Sequence, residues 1–372
     1  MTVVGTRPEI IRLSCVVSEL SKMSTHTLVH TGQNYDFELS EVFFEDLELA
    51  LPDFWLNCAE STTVKTIAKM LVSIEEIIVK VKPDAFVVLG DTNSCLTSIA
   101  AMKHRIPIYH LEAGNRAFDQ NVPEEHNRKI VDRVADYNLV YSEHSRRNLL
   151  AEGFHPQDIA LIGSPMNEVI EKYLSKIHRS QILFDLNLKE QSYILLSVHR
   201  EENVESDSRL TAILEACEQL SSTLGVKIVA STHPRTYKKL AELGILESGT
   251  IQFLKPFGFT DYLKLQKESM LVISDSGTIS EEASLLGFRA VTPRDSIERP
   301  EALEVGAIKL VGASDAKKIF ELAMSCIAEK SSIPIPLDYQ VGNTSVRVAN
   351  FIQSTVWTHH ARKGIRMSPG AS

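Results

Sequence analysis

The chain has 372 residues, 44% hydrophobic and 23% charged, with a formal net charge of −9 at pH 7, the composition of a folded soluble protein too long for one ordinary core. The acidic balance argues against a nucleic-acid surface, though an anionic small molecule gripped by a few arginines remains possible. No run is long enough for a membrane span and the N-terminus lacks a secretory pattern, so the expected location is cytoplasmic. Cys15, Cys58, Cys95, Cys217 and Cys326 are odd in number and widely spaced, which points to reduced core thiols rather than disulfides or a zinc site.

Thr2 to Val4 reads as a short strand that turns at Gly5-Thr6-Arg7-Pro8 into an amphipathic helix, with Pro8 marking its start. The turn lacks the repeated glycines of a dinucleotide fingerprint and offers Arg7 instead. Thr27 to His30 reads as the second strand. The polar loop Thr31-Gly32-Gln33-Asn34-Tyr35 after it is expected on the same side as Arg7. A helix is expected from about Val64 to Val81, with Ile67, Leu71, Ile74, Ile78 and Val81 as its core stripe. Ala85 to Leu89 is a continuous apolar strand of the buried parallel type, and it delivers Gly90-Asp91-Thr92 to the sheet's carboxyl edge.

The next strand, Ile106 to Tyr109, leads into His110-Leu111-Glu112-Ala113-Gly114. Asp91 and Glu112 are therefore expected at the carboxyl ends of successive strands, the edge where open parallel sheets bind ligands. Pro123 suits the first turn of a helix, which places Glu124 and Glu125 near its N-terminus and Arg128 one turn beyond Glu124. The same pattern fits a plain capped helix with an intrahelical ion pair. Asn138 to Tyr141 and Ile159 to Ile162 continue the alternation, and Gly163-Ser164-Pro165 breaks it.

The second half repeats strand and helix. Tyr193 to Val198 ends in His199-Arg200, Val226 to Ser231 in Thr232-His233-Pro234-Arg235, and Leu271 to Ile273 in Ser274-Asp275-Ser276-Gly277-Thr278. Ala290 to Thr292 leads to Glu298-Arg299-Pro300. The expected architecture is α/β, two Rossmann-like doubly wound parallel-sheet domains facing across a cleft. Residues 1–165 form the first domain and 166–342 the second; a helix over 343–358 packs back toward the first, and 359–372 is a disordered tail. Ser276, Gly277 and Thr278 form a strand-to-helix turn that could present N–H groups and hydroxyls to a phosphate, or could simply cap the helix. Glu282, one turn on, could accept from vicinal hydroxyls. Arg299 fits either a phosphate contact or a surface ion pair, and His199 either a ligand contact or a structural histidine.

With these residues laid out, the chain resembles the non-hydrolysing UDP-N-acetylglucosamine 2-epimerase family over nearly its whole length. The matching motifs are Gly5-Thr6-Arg7-Pro8-Glu9, Gly90-Asp91-Thr92, His110-Leu111-Glu112-Ala113-Gly114, Pro123-Glu124-Glu125 with Asn127-Arg128, Asp275-Ser276-Gly277 with Glu281-Glu282, and Glu298-Arg299-Pro300. The resemblance implies a GT-B arrangement, a homodimer, a UDP-activated amino sugar as substrate, and neither metal nor nicotinamide. It implies acid–base roles for Asp91, Glu112 and Glu124, with Arg128 and His199 beside them. UDP would be held by Arg7, His199, Tyr262, Ser276, Gly277, Thr278, Glu282 and Arg299, with Gln33 and His233 also in the cleft. Two departures stand out: Gly114-Asn115-Arg116-Ala117-Phe118-Asp119 replaces the usual Gly-Leu-Arg, and Thr278 replaces a second glycine. Asn115 and Phe118-Asp119 resemble the branch that converts UDP-2-acetamido-2,6-dideoxy-L-talose to UDP-N-acetyl-L-fucosamine for capsule or O-antigen synthesis. The alternatives are UDP-N-acetylglucosamine as substrate, or a GT-B glycosyltransferase using the same cleft.

Overall fold

A computed structural model describes residues 1–33, 44–246 and 249–365. Asn34 and Tyr35 of the polar loop lie outside them. The chain divides into two units, Met1–Val169 with Val341–Ser372, and Ile170–Gln340.

In the first unit, strands β1 (Thr2–Val4), β2 (Leu28–His30), β3 (Phe54–Trp55), β4 (Phe86–Leu89), β5 (Ile108–Leu111), β6 (Tyr137–Val140) and β7 (Ile159–Leu161) form a parallel sheet in the order β3-β2-β1-β4-β5-β6-β7. β4 through β6 are buried along their whole length, which is why they read as uninterrupted runs rather than as alternating ones. The order reverses between β1 and β4, so the helices after these two strands leave to opposite faces and open a crevice at their carboxyl ends. The helix Thr63–Val81 buries Thr66, Met70, Ile74 and Ile78, one row displaced from the expected Ile67–Leu71 edge. Thr66 can join the row because its hydroxyl accepts the Glu60 N–H at 3.0 Å. Burying each of the three large side chains is worth about 1.5–3 kcal/mol.

The C-terminal helix Thr344–Val356 belongs to this unit. The Thr355 hydroxyl lies 2.8 Å from the Tyr109 hydroxyl, and Phe351 stands edge-on to both Tyr109 and Tyr137, which are themselves stacked. The expectation of disorder from His359 onward is corrected here. His359–Lys363 is a further helical turn, with His359 buried against Tyr137 and Lys363 2.8 Å from Asp158. Aromatic packing and ion pairs to Asp158 outweigh the basic, small-residue composition; residues 366–372 lie outside those described.

In the second unit, β8 (Tyr193–Ser197), β9 (Lys227–Ser231), β10 (Ile251–Leu254), β11 (Leu271–Ser274), β12 (Ala290–Pro293) and β13 (Ile308–Val311) form a second parallel sheet in the order β10-β9-β8-β11-β12-β13. It reverses between β8 and β11. Aliphatic side chains from these strands meet the helices Asp207–Leu224 and Ala316–Ala328 on one face. Among the described residues no helix is long and apolar enough to cross a membrane.

Candidate active site

β4 and β5 pair in register, Leu89 opposite Leu111, and the Gly90 N–H donates to the Leu111 carbonyl at 2.9 Å. Asp91 and Glu112 therefore leave the sheet side by side. Glu112 adopts φ 63°, a left-handed conformation that costs a residue with a Cβ about 1–2 kcal/mol. Such strain persists only where neighbours over-determine it, and here they are guanidinium groups. Arg12, from the helix Arg7–Met23, binds one carboxylate oxygen of Glu112. Arg128, from the helix Pro123–Val134, lies 3.1 Å from the other, donates to the Glu112 backbone carbonyl, and also binds Asp91. Two carboxylates thus share one guanidinium. They differ in access: the Asp91 side chain is 22% exposed and that of Glu112 3%.

Arg128 thus turns inward to the two strand-end carboxylates, whereas Glu124, one turn earlier, lies on the exposed side of the first turn. Its neighbour Glu125 is buried and accepts the Ala117 N–H at 2.9 Å, so of the paired glutamates one is tied up in loop structure and the other stays accessible. Arg7 is exposed at the start of its helix. Gln33 lies just beyond β2, beside Gly5 at the end of β1.

Arg12 falls in none of the sequence motifs, and Glu9 appears there only as the last residue of Gly5-Thr6-Arg7-Pro8-Glu9. Arg12 lies between Ile11 and Leu13 on a buried helix face yet is only 6% exposed; a cation in an apolar stripe was the available signal. Glu9 caps its own helix, accepting the Gly5 and Thr6 N–H groups at 2.7 Å each. Its other oxygen accepts the Thr92 hydroxyl at 2.8 Å and that of Ser94. It therefore ties the ends of β1 and β4 together across the reversal point. Burial raises its pKa, against the pull of hydrogen bonds from Ser94, Thr92, Gly5 and Thr6.

In the second unit, the ends of β8 and β11 meet at Asp275, a residue within a quoted motif but not singled out. Fully buried, it accepts the His199 N–H at 3.0 Å, the Arg200 N–H at 3.1 Å and the Asn203 amide at 3.1 Å, with His199 Nδ1 3.2 Å away. Burial alone would raise its pKa, but His199 and these donors lower it to about 2. The His199 side chain, 40% exposed, is held with one ring edge on Asp275 and the other available; the His233 ring is 6.2 Å away. Sequence reasoning named both histidines, and the fold brings them together.

Ser276, Gly277 and Thr278 form the turn before the helix Ile279–Leu286, with the Ser276 and Thr278 hydroxyls 2.9 Å apart. Arg299 is 3% exposed; it donates to the Gly277 carbonyl and lies 3.5 Å from Glu281. In this structure it braces the turn from beneath. The close packing explains Gly277: a Cβ there would come within 2.9 Å of both the Arg299 guanidinium and the Glu298 carboxylate. Burial would raise the pKa of Glu298, but Arg294, Arg200 and Arg299 hold it well below the carboxylate range. Glu282 is buried and accepts from the Gln266 amide at 2.7 Å. Tyr262 lies half-buried on the helix Phe259–Glu268, which also carries Gln266.

Two doubly wound parallel sheets, each with charged groups gathered where its strand order reverses, define an α/β protein of the nucleotide-binding type. Residues 18–353 match the UDP-N-acetylglucosamine 2-epimerase family. The chain is 40% identical to a UDP-N-acetylglucosamine 2-epimerase of known structure from Rickettsia bellii, with a TM-score of 0.90, covering 98% of this chain and 99% of that one. Similarity extends to the Methanocaldococcus jannaschii UDP-GlcNAc 2-epimerase solved in complex with UDP-GlcNAc and UDP, at 33% identity, TM-score 0.88, and coverage of 95% and 99%. A UDP-2,3-diacetamido-2,3-dideoxy-D-glucuronate 2-epimerase from Pseudomonas aeruginosa is 35% identical over 358 residues, covering 95% of this chain and 98% of the relative. The chain belongs to the UDP-N-acetylglucosamine 2-epimerase family, and it is an isomerase of the UDP-sugar 2-epimerase kind.

Proposed function

We propose that this chain inverts C2 of a UDP-2-acetamido sugar by eliminating UDP and adding it back. Loss of the C2 proton to a carboxylate, with cleavage of the C1–O bond, makes C2 planar and leaves a 2-acetamidoglycal beside UDP. Return of a proton to the opposite face of C2, with re-formation of the C1–O bond, gives the epimer. No hydride moves, so the reaction needs no nicotinamide, and charge on the departing diphosphate is met by protein cations rather than a metal. The observation that carries this reading is the Asp91–Arg128–Glu112–Arg12 cluster at the reversal point of the first sheet. It supplies carboxylates for proton transfer in fixed orientation. His199 braced on Asp275, the Ser276–Thr278 turn and Glu282 are the groups suited to diphosphate and ribose.

Within this reading the favoured substrate is UDP-2-acetamido-2,6-dideoxy-L-talose, with UDP-N-acetylglucosamine as the alternative. Asn115 and Phe118-Asp119, the residues that resemble that branch, support it, and Phe118 presents an exposed aromatic side chain on the loop between Glu112 and the helix Pro123–Val134. Incubating the metal-free protein with each UDP-sugar in deuterated water, and following C2 by NMR, tests both levels. Exchange at C2 with recovery of the UDP-sugar is expected, fastest with the 6-deoxy substrate. Glu112→Gln should slow exchange about 10²–10⁴-fold and leave UDP binding intact. Stoichiometric release of UDP with no epimer would overturn the proposal.

A further inference from the structure

Glu112 is held in an unfavourable backbone conformation by a buried layer that the acid–base chemistry itself leaves unused. His110, two residues earlier on β5, places Nε2 2.7 Å from the Gly90 carbonyl and Nδ1 2.9 Å from Oδ1 of Asp132. Both neighbours of the ring are acceptors: Nε2 faces the Gly90 carbonyl in a hydrogen bond, and Nδ1 faces Asp132 at ion-pair distance but off hydrogen-bond alignment. Gly114, two residues after Glu112, directs its N–H to both oxygens of the same Asp132 carboxylate at 3.3 Å. Asp132 is thus joined to the chain on either side of Glu112, and through His110 to the residue before Asp91.

Asp132 also lies one turn beyond Arg128 on the helix Pro123–Val134. One helix face therefore grips Glu112 directly with Arg128 and its flanks with Asp132. Arg116 completes the layer: its Nη2 is 2.7 Å from Asp132, and its fork binds both oxygens of Glu152 at 2.7 Å. Asp132 and His110 are both 0% exposed. A carboxylate so deeply buried persists only where cations and donors compensate its lost hydration. Burial alone would raise its pKa, but His110 and Arg116 lower it.

We infer that Asp132, acting through His110 and Gly114, is the positioning residue that keeps Glu112 in its left-handed conformation beside Asp91. The inference rests on the epimerase reading and deepens it. A merely structural brace would reduce the yield of folded protein and leave each folded molecule fully active. A positioning residue lowers the turnover of molecules that are folded and still bind UDP.

The test compares the full-length wild type with Asp132→Asn, His110→Ala and His110→Gln, counting active molecules by UDP-binding stoichiometry. Per binding site, Asp132→Asn and His110→Ala should lower kcat for C2 exchange about 10–100-fold, since a small misplacement of a reacting group costs on that order. KM and the Kd for UDP should stay within about twofold, the signature of a loss felt in turnover alone. His110→Gln, which keeps an N–H for the Gly90 carbonyl but loses the ring nitrogen that faces Asp132, should recover only part of the loss. Per-site kcat of Asp132→Asn within about threefold of wild type overturns the inference; should that variant not fold, unchanged per-site kcat in His110→Ala overturns it instead. A wild-type chain that binds UDP yet exchanges no C2 proton from any UDP-2-acetamido sugar overturns the epimerase reading, and this inference with it.

Discussion

Arg12→Met retains a long apolar side chain and deletes the guanidinium that meets Glu112. The two side chains are only 7% and 3% exposed, so water cannot replace the lost partner. Breaking a buried pair from one side costs about 3–5 kcal/mol. Because Arg128 remains 3.1 Å from the other oxygen, the lower end, about 3 kcal/mol, is expected. For a unit of this size each kcal/mol moves the midpoint by about 2–4 °C, so Tm of the first unit should fall by about 6–12 °C. Thermal unfolding followed by circular dichroism, run with Glu112→Gln and the double variant, separates the pair from its surroundings. The double variant should be more stable than the sum of the single losses predicts, by about 1 kcal/mol or more. A Tm change under about 2 °C for Arg12→Met, or strictly additive losses, would refute the claim that this pair helps to fix Glu112.

Asp275→Asn tests the second unit. The folded pKa of Asp275 is depressed from 3.8 to about 2, so its stabilisation, about 2 kcal/mol, is complete above pH 4 and lost as pH falls toward 2. Urea midpoints for wild type and variant should differ at pH 6 and converge near pH 2; a gap that does not change with pH would contradict this. Gly114→Ala is expected to be severe, because Gly114 has φ 75° and a Cβ would lie 2.5 Å from the Ser145 carbonyl oxygen. The left-handed backbone and the overlap together should cost about 2–5 kcal/mol, read as a lowered urea midpoint, and near-wild-type stability would show that the loop does not pack as described.

The strands that sequence exposed best are those buried on both faces, because an unbroken aliphatic run such as Phe86–Leu89 or Tyr193–Ser197 needs no partner to be recognised. β3 escaped notice because two residues, Phe54 and Trp55, carry no period, and β13 because Lys309 interrupts its run. Asp91, Glu112 and Arg128 could be found as charges at a strand end and at a proline-started helix. Arg12, Glu9, Asp132 and Asp275 could not, because each acquires its meaning from partners far along the chain; Arg12 and Glu112 are 100 residues apart. A local pattern shows where charge is costly, while the compensating group is chosen by topology. Arg128 illustrates this: helical spacing sets it one turn beyond Glu124, and the fold adds the strand-end carboxylates of Asp91 and Glu112 as its partners.

The first unit is not contiguous in sequence: the helices Thr344–Val356 and His359–Lys363 are separated from the rest by the whole of Ile170–Gln340. At ribosomal speeds of about 5–20 residues per second, those residues delay completion by roughly 10–35 s. Throughout that interval the faces of Tyr109 and Tyr137 that Phe351 will cover remain open to chaperones and to other nascent chains. The carboxylate cluster is therefore encoded before the second unit, while the domain that carries it is sealed only after that unit has been made.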